Sequence, residues 1–111
     1  MSDINWQTKE KREFIEAILS LQNKDEAERF LRDLLTKQEI DEFSKRLYTA
    51  EMLSKNVQYS EIIEKTGLSS TTIARIQKWL KGPLGGYRLV FNKMHHTHSQ
   101  NSVGSGLFLN S

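Results

Sequence analysis

The chain has 111 residues, of which 37% are hydrophobic and 27% are charged, a balance that excludes an intrinsically disordered protein. This length is enough for one domain with a modest core, or for one half of an intertwined dimer. The formal net charge is only +2 and cysteine is absent, so the composition demands no nucleic-acid partner and excludes disulfides and thiolate zinc sites.

Capping signals divide the first half of the chain into three helices. Apolar spacing predicts a first helix over about residues 8–21, and Asn23 followed by Glu26 indicates the start of a second. Thr36 and Glu39 form a full T-x-x-E capping box, in which each side chain binds an otherwise unpaired backbone N–H group. The second and third helices both have the apolar spacing of an amphipathic helix. The apolar residues are Ala27, Phe30, Leu31 and Leu34 in the second helix, and Ile40, Phe43, Leu47, Ala50 and Leu53 in the third.

The second half of the chain is predicted to contain shorter helices. Asn56 interrupts the third helix, a fourth over residues 60–66 ends at Gly67, and a fifth over residues 70–82 ends before Pro83. Residues 87–94 could form one last short helix, and from about Thr97 the chain is rich in serine, asparagine and glycine. No strand pattern is present. We therefore predict an all-α fold, with a single helical domain over residues 1–95 and a disordered tail over residues 96–111.

Residues 59–81 have the pattern of a helix-turn-helix, which is two short helices joined by a tight turn. Gly67 lies where this turn requires a positive φ, a conformation that glycine adopts without steric cost. Ser69 and Ser70 offer N-cap oxygens to the second helix of the motif. The apolar residues spaced to fill the core between the two helices are Ile62, Leu68, Ile73 and Ile76.

The exposed face of the second helix is the candidate DNA-binding surface. The acidic residues of the motif, Glu61 and Glu64, lie on its first helix, so the second helix carries only basic charges. Unpaired N–H groups and hydroxyl side chains at a helix N-terminus suit phosphates and base edges. The predicted DNA-binding residues are Ser69, Ser70, Thr71, Thr72, Arg75, Lys78 and Lys81.

Two positions depart from the usual motif. A small residue is usual five places into a helix-turn-helix and an apolar one just before the glycine, but this chain has Ile63 and Thr66 there. Helix pairs with a glycine turn also occur in proteins that never touch DNA. The residues by themselves therefore leave open both DNA binding and a purely structural helix pair.

The sequence resembles the Trp repressor family, most closely its YerC/YecD-type branch. The resemblance covers roughly residues 14–87, and it rests on RFLRDLLTKQEIDEFSKRLYTAEML, on TGLSSTTIARIQKWLK and on the GGY that follows. It implies an intertwined helical homodimer in which the fourth and fifth helices of each subunit read DNA.

The resemblance also implies a possible ligand pocket, because the Trp repressor holds tryptophan between two arginines. The matching pocket residues here are Thr36, Arg46, Thr72 and Arg75. Two positions differ from the family pattern: Ile76 replaces a glycine and Trp79 replaces a serine, and both add bulk where indole would enter. We therefore expect no cofactor, with tryptophan or another small corepressor as the alternative.

The remaining conspicuous side chains have simpler interpretations. Trp79 lies beside a helix seam, where an aromatic residue is usually part of the core. His95, His96 and His98 have no carboxylate or cysteine beside them, so we expect no metal site. The chain has no glycine-rich phosphate loop and no motif of a hydrolytic nucleophile, so we expect that it is not an enzyme.

The helix-turn-helix pattern predicts a protein that binds double-stranded DNA, and the resemblance implies a transcription regulator, a repressor, that acts as a homodimer. The N-terminus lacks the apolar segment of a signal peptide and no apolar run could span a bilayer, so we expect a cytoplasmic protein without a membrane partner. The alternatives are a ligand-gated repressor that senses tryptophan or another metabolite, and a protein-interaction module that does not bind DNA.

Overall fold

A computed structural model describes the backbone of residues 4–105 and the side chains of residues 4–95. This backbone forms six helices and no strand, which confirms the predicted all-α fold. The helices are α1 (Lys9–Ser20), α2 (Lys24–Leu34), α3 (Lys37–Ser54), α4 (Tyr59–Thr66), α5 (Ser70–Leu80) and α6 (Gly86–Ser105).

The chain divides into two compact units, Met1–Asp41 and Glu42–Ser111, where the sequence analysis expected one domain over residues 1–95. The first unit contains α1, α2 and the start of α3. In the single chain no residue of α1 or α2 is buried, although both helices are described in full. These two amphipathic helices therefore form no buried core of their own in the single chain.

The helix starts in the first unit follow the predicted capping signals. At α2, the Asn23 side chain accepts a hydrogen bond from the Glu26 backbone N–H at 2.9 Å, and the Glu26 carboxylate reaches back to the N–H of Gln22 at 2.9 Å. At α3 the box is fully reciprocal: the Thr36 N–H donates to Glu39 at 2.9 Å, and the Glu39 N–H donates to the Thr36 hydroxyl at 3.0 Å. Local hydrogen bonds alone therefore determine where these helices begin.

The second unit has a buried core built from α3, α4, α5 and α6. The C-terminal half of α3 contributes to it, while Phe43 and Leu47, which share the apolar stripe of α3, are exposed in the single chain. The stripe ends before Asn56, which has a positive φ of 63°. The buried apolar residues are Ala50, Met52, Leu53, Ile62, Ile73, Ile76, Leu80 and Phe91.

The last helix is longer than the sequence analysis expected. α6 runs over Gly86–Ser105, whereas the sequence predicted a short helix over residues 87–94 and a disordered tail over residues 96–111. Between residues 87 and 103 there is neither proline nor glycine. A helix that has started gains one hydrogen bond for each further residue, so nothing in this segment ends it. Residues 106–111 of the predicted tail lie outside the described residues.

Within residues 4–105, no helix is both long enough and apolar enough to cross a membrane.

Candidate DNA interface

The turn of the predicted motif lies between α4 and α5, as expected. Gly67 ends α4 in the left-handed conformation, with φ 77° and ψ 4°. Its N–H donates to the carbonyl oxygen of Ile63 at 2.8 Å, which pairs one of the last carbonyl groups of the helix. A residue with a Cβ would be strained at this φ, so the glycine is required by the backbone and not by packing.

The predicted core of the motif is confirmed. Ile62 of α4 and Ile73 of α5 are both 0% exposed, and Ile76 is also buried. Leu68, in the turn, is half-buried and packs against the same cluster. Leu80 extends this buried side of α5 to the end of the helix. One side of α5 is therefore held in the core from its first turn to its last.

The structure accommodates both departures from the usual motif. Thr66 is buried, but its hydroxyl donates to the Ile62 carbonyl at 2.8 Å and accepts from the Leu68 N–H at 3.1 Å. A hydroxyl with both a donor and an acceptor partner can be buried at little cost. Ile63 lies on the exposed side of α4, so its bulk does not crowd the turn. Neither residue prevents the helix pair from forming.

Hydroxyl side chains organise the N-terminus of α5. The Ser69 hydroxyl accepts from the Thr72 N–H at 3.1 Å and also bonds to the Thr72 hydroxyl at 3.1 Å. Ser69 is therefore the N-cap that the sequence analysis predicted, while Ser70 is the first residue of the helix. Thr72 is half-buried beside this cap, and Thr71 is exposed.

We call Thr71, Arg75 and Lys78 the basic face of α5. Their i, i+4, i+7 spacing places them on one side of the helix, and all three are exposed. No ion pair of Arg75, Lys78 or Lys81 occurs among the described residues, and α5 contains no acidic residue. The face is therefore positively charged and available to an anionic partner.

Lys65 of α4 differs from the basic residues of α5 because it is paired. Its ammonium lies 3.1 Å from the carboxylate of Glu61, one turn earlier on the same helix. The hydrogen bond to Glu61 and the charge of that carboxylate raise the pKa of Lys65 above its usual value. The basic charge of α4 is thus locally compensated, and the uncompensated charge of the motif lies on α5 and Lys81.

The residues of the possible ligand pocket have varied surroundings. The Arg46 guanidinium lies 3.7 Å from the Glu42 carboxylate and 5.6 Å from the centre of the Phe43 ring. Thr72 and Arg75 lie one turn apart on α5, and Arg75 is exposed. Thr36 belongs to the first unit, where its hydroxyl caps α3. The pocket therefore stays a prediction.

Trp79 is not part of the core of the single chain, contrary to the sequence analysis. Its side chain is 60% exposed, while Leu80 beside it is buried. Ile73, Ile76 and Leu80 follow the helical repeat and form a narrow stripe. Trp79 falls at the edge of this stripe, because a step of one residue turns the side chain by about 100°.

Arg88, in the first turn of α6, was not singled out from the sequence. Its guanidinium donates to the carbonyl oxygens of Leu80 and Gly82, the latter at 3.0 Å. The signal that could have found it is a basic residue shortly after the end of a helix, since cations often bind unpaired carbonyl groups there. The intervening Gly85 also has a positive φ of 69°.

The histidines near the C-terminus lie at the limit of the described side chains. His95 lies 3.7 Å from the Glu51 carboxylate, which also lies 3.6 Å from Lys55. The side chains of His96 and His98 are outside the described residues. Within the described part of the chain, no group of three histidine, cysteine, aspartate or glutamate residues could hold a metal ion.

Comparison with known proteins assigns the chain to a family. Residues 9–95 match the sequence model of the family described as Trp repressor protein. The chain belongs to the Trp repressor family. It is 33% identical over 94 residues to the uncharacterized protein YerC of Bacillus subtilis (strain 168), an alignment that covers 85% of this chain and 90% of YerC. The resemblance to YerC-type, Trp-repressor-like proteins is thereby confirmed.

Two solved structures of Trp-repressor-like proteins have the same fold. A TrpR-like protein from Eubacterium eligens ATCC 27750 matches with a TM-score of 0.75 and 38% identity, over 81% of this chain and 93% of that one. A candidate Trp repressor from Staphylococcus aureus also matches with a TM-score of 0.75, at 31% identity, over 80% of this chain and 89% of that one. The likeness to both therefore extends over nearly all of each solved chain.

Proposed function

We propose that this Trp repressor family member is a sequence-specific DNA-binding transcription regulator, a repressor, that acts as a homodimer in the cytoplasm. The proposal includes no catalytic activity. The observation that carries it is the two-sided character of α5. One side is anchored by buried Ile73 and Ile76, and the other presents the basic face without a neutralising acid.

The residues around α5 would have different roles in DNA binding. The DNA backbone would be contacted by Ser69, Ser70 and Lys81, because they lie at the two ends of the helix. These contacts would position the protein on the duplex. Thr71, Thr72 and Arg75 would be nearest the bases, and Lys78 could do either job. Arg75 suits this role because its guanidinium has no ion-pair partner among the described residues and can donate two parallel hydrogen bonds to guanine.

A second copy of the chain would cover the apolar residues that the single chain leaves exposed. Phe14, Ile18 and Leu19 of α1 and Leu31 and Leu34 of α2 are all exposed. A set of this size on two amphipathic helices is unfavourable in water and is typical of an interface. Dimerisation would also duplicate α5. The two copies would then enter successive major grooves about 34 Å apart on a roughly palindromic site.

Fluorescence anisotropy with a random pool of DNA duplexes, at about 50 mM salt, tests the proposal directly, since non-specific binding is strongest at low salt. We expect saturable binding, followed by enrichment of one sequence class when bound duplexes are selected and amplified. A chain that is folded yet binds none of the pool would contradict the proposal and favour a protein-interaction module.

Lys78→Ala separates backbone contacts from base contacts. Loss of one phosphate contact should weaken binding to every duplex and reduce the slope of log affinity against log salt by about one unit. Lys65→Ala is the matched control, because it removes a lysine charge that Glu61 already compensates. We expect its slope to equal that of the wild type. A normal slope for Lys78→Ala, with loss of affinity for one operator only, would mean that Lys78 reads bases.

Action without a corepressor is part of the proposal. Its support is that Arg46, one of the two predicted clamp arginines, already faces a carboxylate and an aromatic ring of its own helix. Calorimetric titration with tryptophan and related amino acids tests this point. Saturable binding that disappears in Arg46→Ala would instead indicate a ligand-gated repressor.

A further inference from the structure

The segment between α5 and α6 ties the end of one helix to the start of the next. Arg88 is the third residue of α6, and its two terminal nitrogens donate to the carbonyl oxygens of Leu80 and Gly82. Both acceptors belong to the C-terminal end of α5 and the turn that follows it. We call this pair of hydrogen bonds the Arg88 latch.

The acceptors of the latch are groups that a helix cannot satisfy by itself. The last carbonyl groups of an α-helix have no N–H partner further along the helix. The end of a helix also carries a partial negative charge, which a guanidinium complements. Lys78 of α5 and Lys81, the residue after the helix, lie near the same end, but neither forms a hydrogen bond to these carbonyls among the described residues. Arg88 therefore supplies the side-chain cap of α5.

Gly85 makes room for the latch. Its φ of 69° lies in the left-handed region, and a Cβ at this position would lie 3.0 Å from the Arg88 Nη2 atom. Such a distance is shorter than ordinary van der Waals contact, so a larger residue would push against the guanidinium. The first glycine of the GGY segment is thus required by its positive φ, and the missing Cβ also leaves room for the guanidinium that caps α5.

Packing of α6 against the core holds Arg88 in place. Phe91, one turn after Arg88, is buried in the same cluster as Leu80. Tyr87 stacks on Phe91, with ring centres 6.1 Å apart and planes inclined by 15°. Because Phe91 packs in the core, α6 is held in place. The Arg88 guanidinium therefore binds the end of α5 from a helix that is itself fixed.

We propose that Arg88 is a positioning residue for DNA binding: through the latch it fixes the C-terminal end of α5, and with it the direction of the basic face. The inference rests on the proposed function. Arg88 acts on DNA through α5 and not by direct contact. Its loss should therefore reduce the discrimination between specific and random DNA without removing a phosphate contact.

The test uses the full chain and the duplex class selected from the random pool. Arg88→Ala should bind the selected duplex about fivefold more weakly, which is the scale of losing an exposed, charged hydrogen bond. We expect a smaller loss on random duplex and an unchanged salt slope. Arg88→Lys keeps the charge but lacks the two-pronged donor, so it should also lose discrimination.

Lys93→Ala is the control, because it removes an exposed cation from the same helix. Thermal unfolding measures whether each variant is folded at the binding temperature. If Arg88→Ala does not fold, the test uses Arg88→Lys alone. Wild-type discrimination in the folded Arg88 variants, or an equal loss in Lys93→Ala, would overturn the inference.

A salt slope reduced by about one unit in Arg88→Ala, with full recovery in Arg88→Lys, would also overturn it, because it would mean a direct phosphate contact. Failure of the proposed function would look different. In that case the wild-type chain itself would bind no duplex, and the inference would fall with it.

Discussion

Helices α1 and α2 differ from α4 and α5 in what the single chain does with their apolar side chains. Both pairs are amphipathic and begin or end at well-formed local signals. Yet α4 and α5 bury residues such as Ile62 and Ile73 completely, while α1 and α2 bury none. The helix-turn-helix therefore has its core within one chain, whereas the single chain leaves the apolar residues of the first two helices uncovered.

This contrast agrees with the two roles in the proposed dimer, which are DNA binding and dimerisation. The part that would meet DNA has its core within its own chain. The part that would hold two subunits together must expose its apolar residues until the partner arrives. Three substitutions test this contrast between the two pairs of helices.

Phe14→Glu should have the largest effect, and it should act on assembly. The substitution would bury one unpaired charge from each subunit in the proposed interface. Together the two charges cost about 3 kcal/mol or more, which corresponds to a rise of about 100-fold in the dimer dissociation constant. Sedimentation equilibrium of wild type and variant would measure this. Glu16→Lys is the control on the same helix, at an exposed polar position, and should leave assembly unchanged. A Phe14→Glu chain that dimerises like the wild type would remove α1 from the interface.

Ile62→Ala should come next, and it should act on folding. A completely buried isoleucine shortened to alanine typically lowers the free energy of unfolding by about 3 kcal/mol. Its neighbour Ile63 is exposed in the single chain, so Ile63→Ala should cost less than about 1 kcal/mol. Urea denaturation at a fixed chain concentration measures both, since dimer stability depends on concentration. Equal costs would show that Ile63 is covered in the assembled protein, so that α4 also would contribute apolar surface to assembly.

Thr66→Val should have the smallest effect of the three. The substitution keeps the shape of the side chain but leaves the Leu68 N–H without its hydroxyl partner, at a cost of about 1–2 kcal/mol. Thr71→Val is the matched control at an exposed position and should cost less than about 0.5 kcal/mol. Thermal unfolding of the two variants would measure the difference. A neutral Thr66→Val would mean that the turn is held by Gly67 and packing alone.

Much of the motif could be predicted from the sequence because its signals are short-range. The Thr36–Glu39 box, the Ser69 cap and the left-handed Gly67 all depend on residues within four positions of each other. The inward positions of Ile62, Ile73 and Ile76 follow from the helical repeat. The DNA-binding role of the basic face stays a proposal.

Other features could not be predicted from spacing alone. Trp79 and Phe43 lie on or beside apolar stripes, yet both are exposed in the single chain. A periodic pattern shows which residues share a face, but it does not show how wide a face the neighbouring helices cover. The length of α6 was underestimated for a related reason, because a polar composition weakens a helix without ending it.

Sequence signals alone predicted the all-α class, the helix starts, the glycine turn and the membership of the Trp repressor family. Each of these depends on local hydrogen bonds, backbone conformation or sequence similarity. The fold adds which of the apolar stripes a single chain buries, and it shows that Arg88 caps α5 from a position eight residues further along the chain. The physical reason is that burial and long-range capping depend on how the chain folds back on itself, and a repeat of three or four residues carries no information on that path.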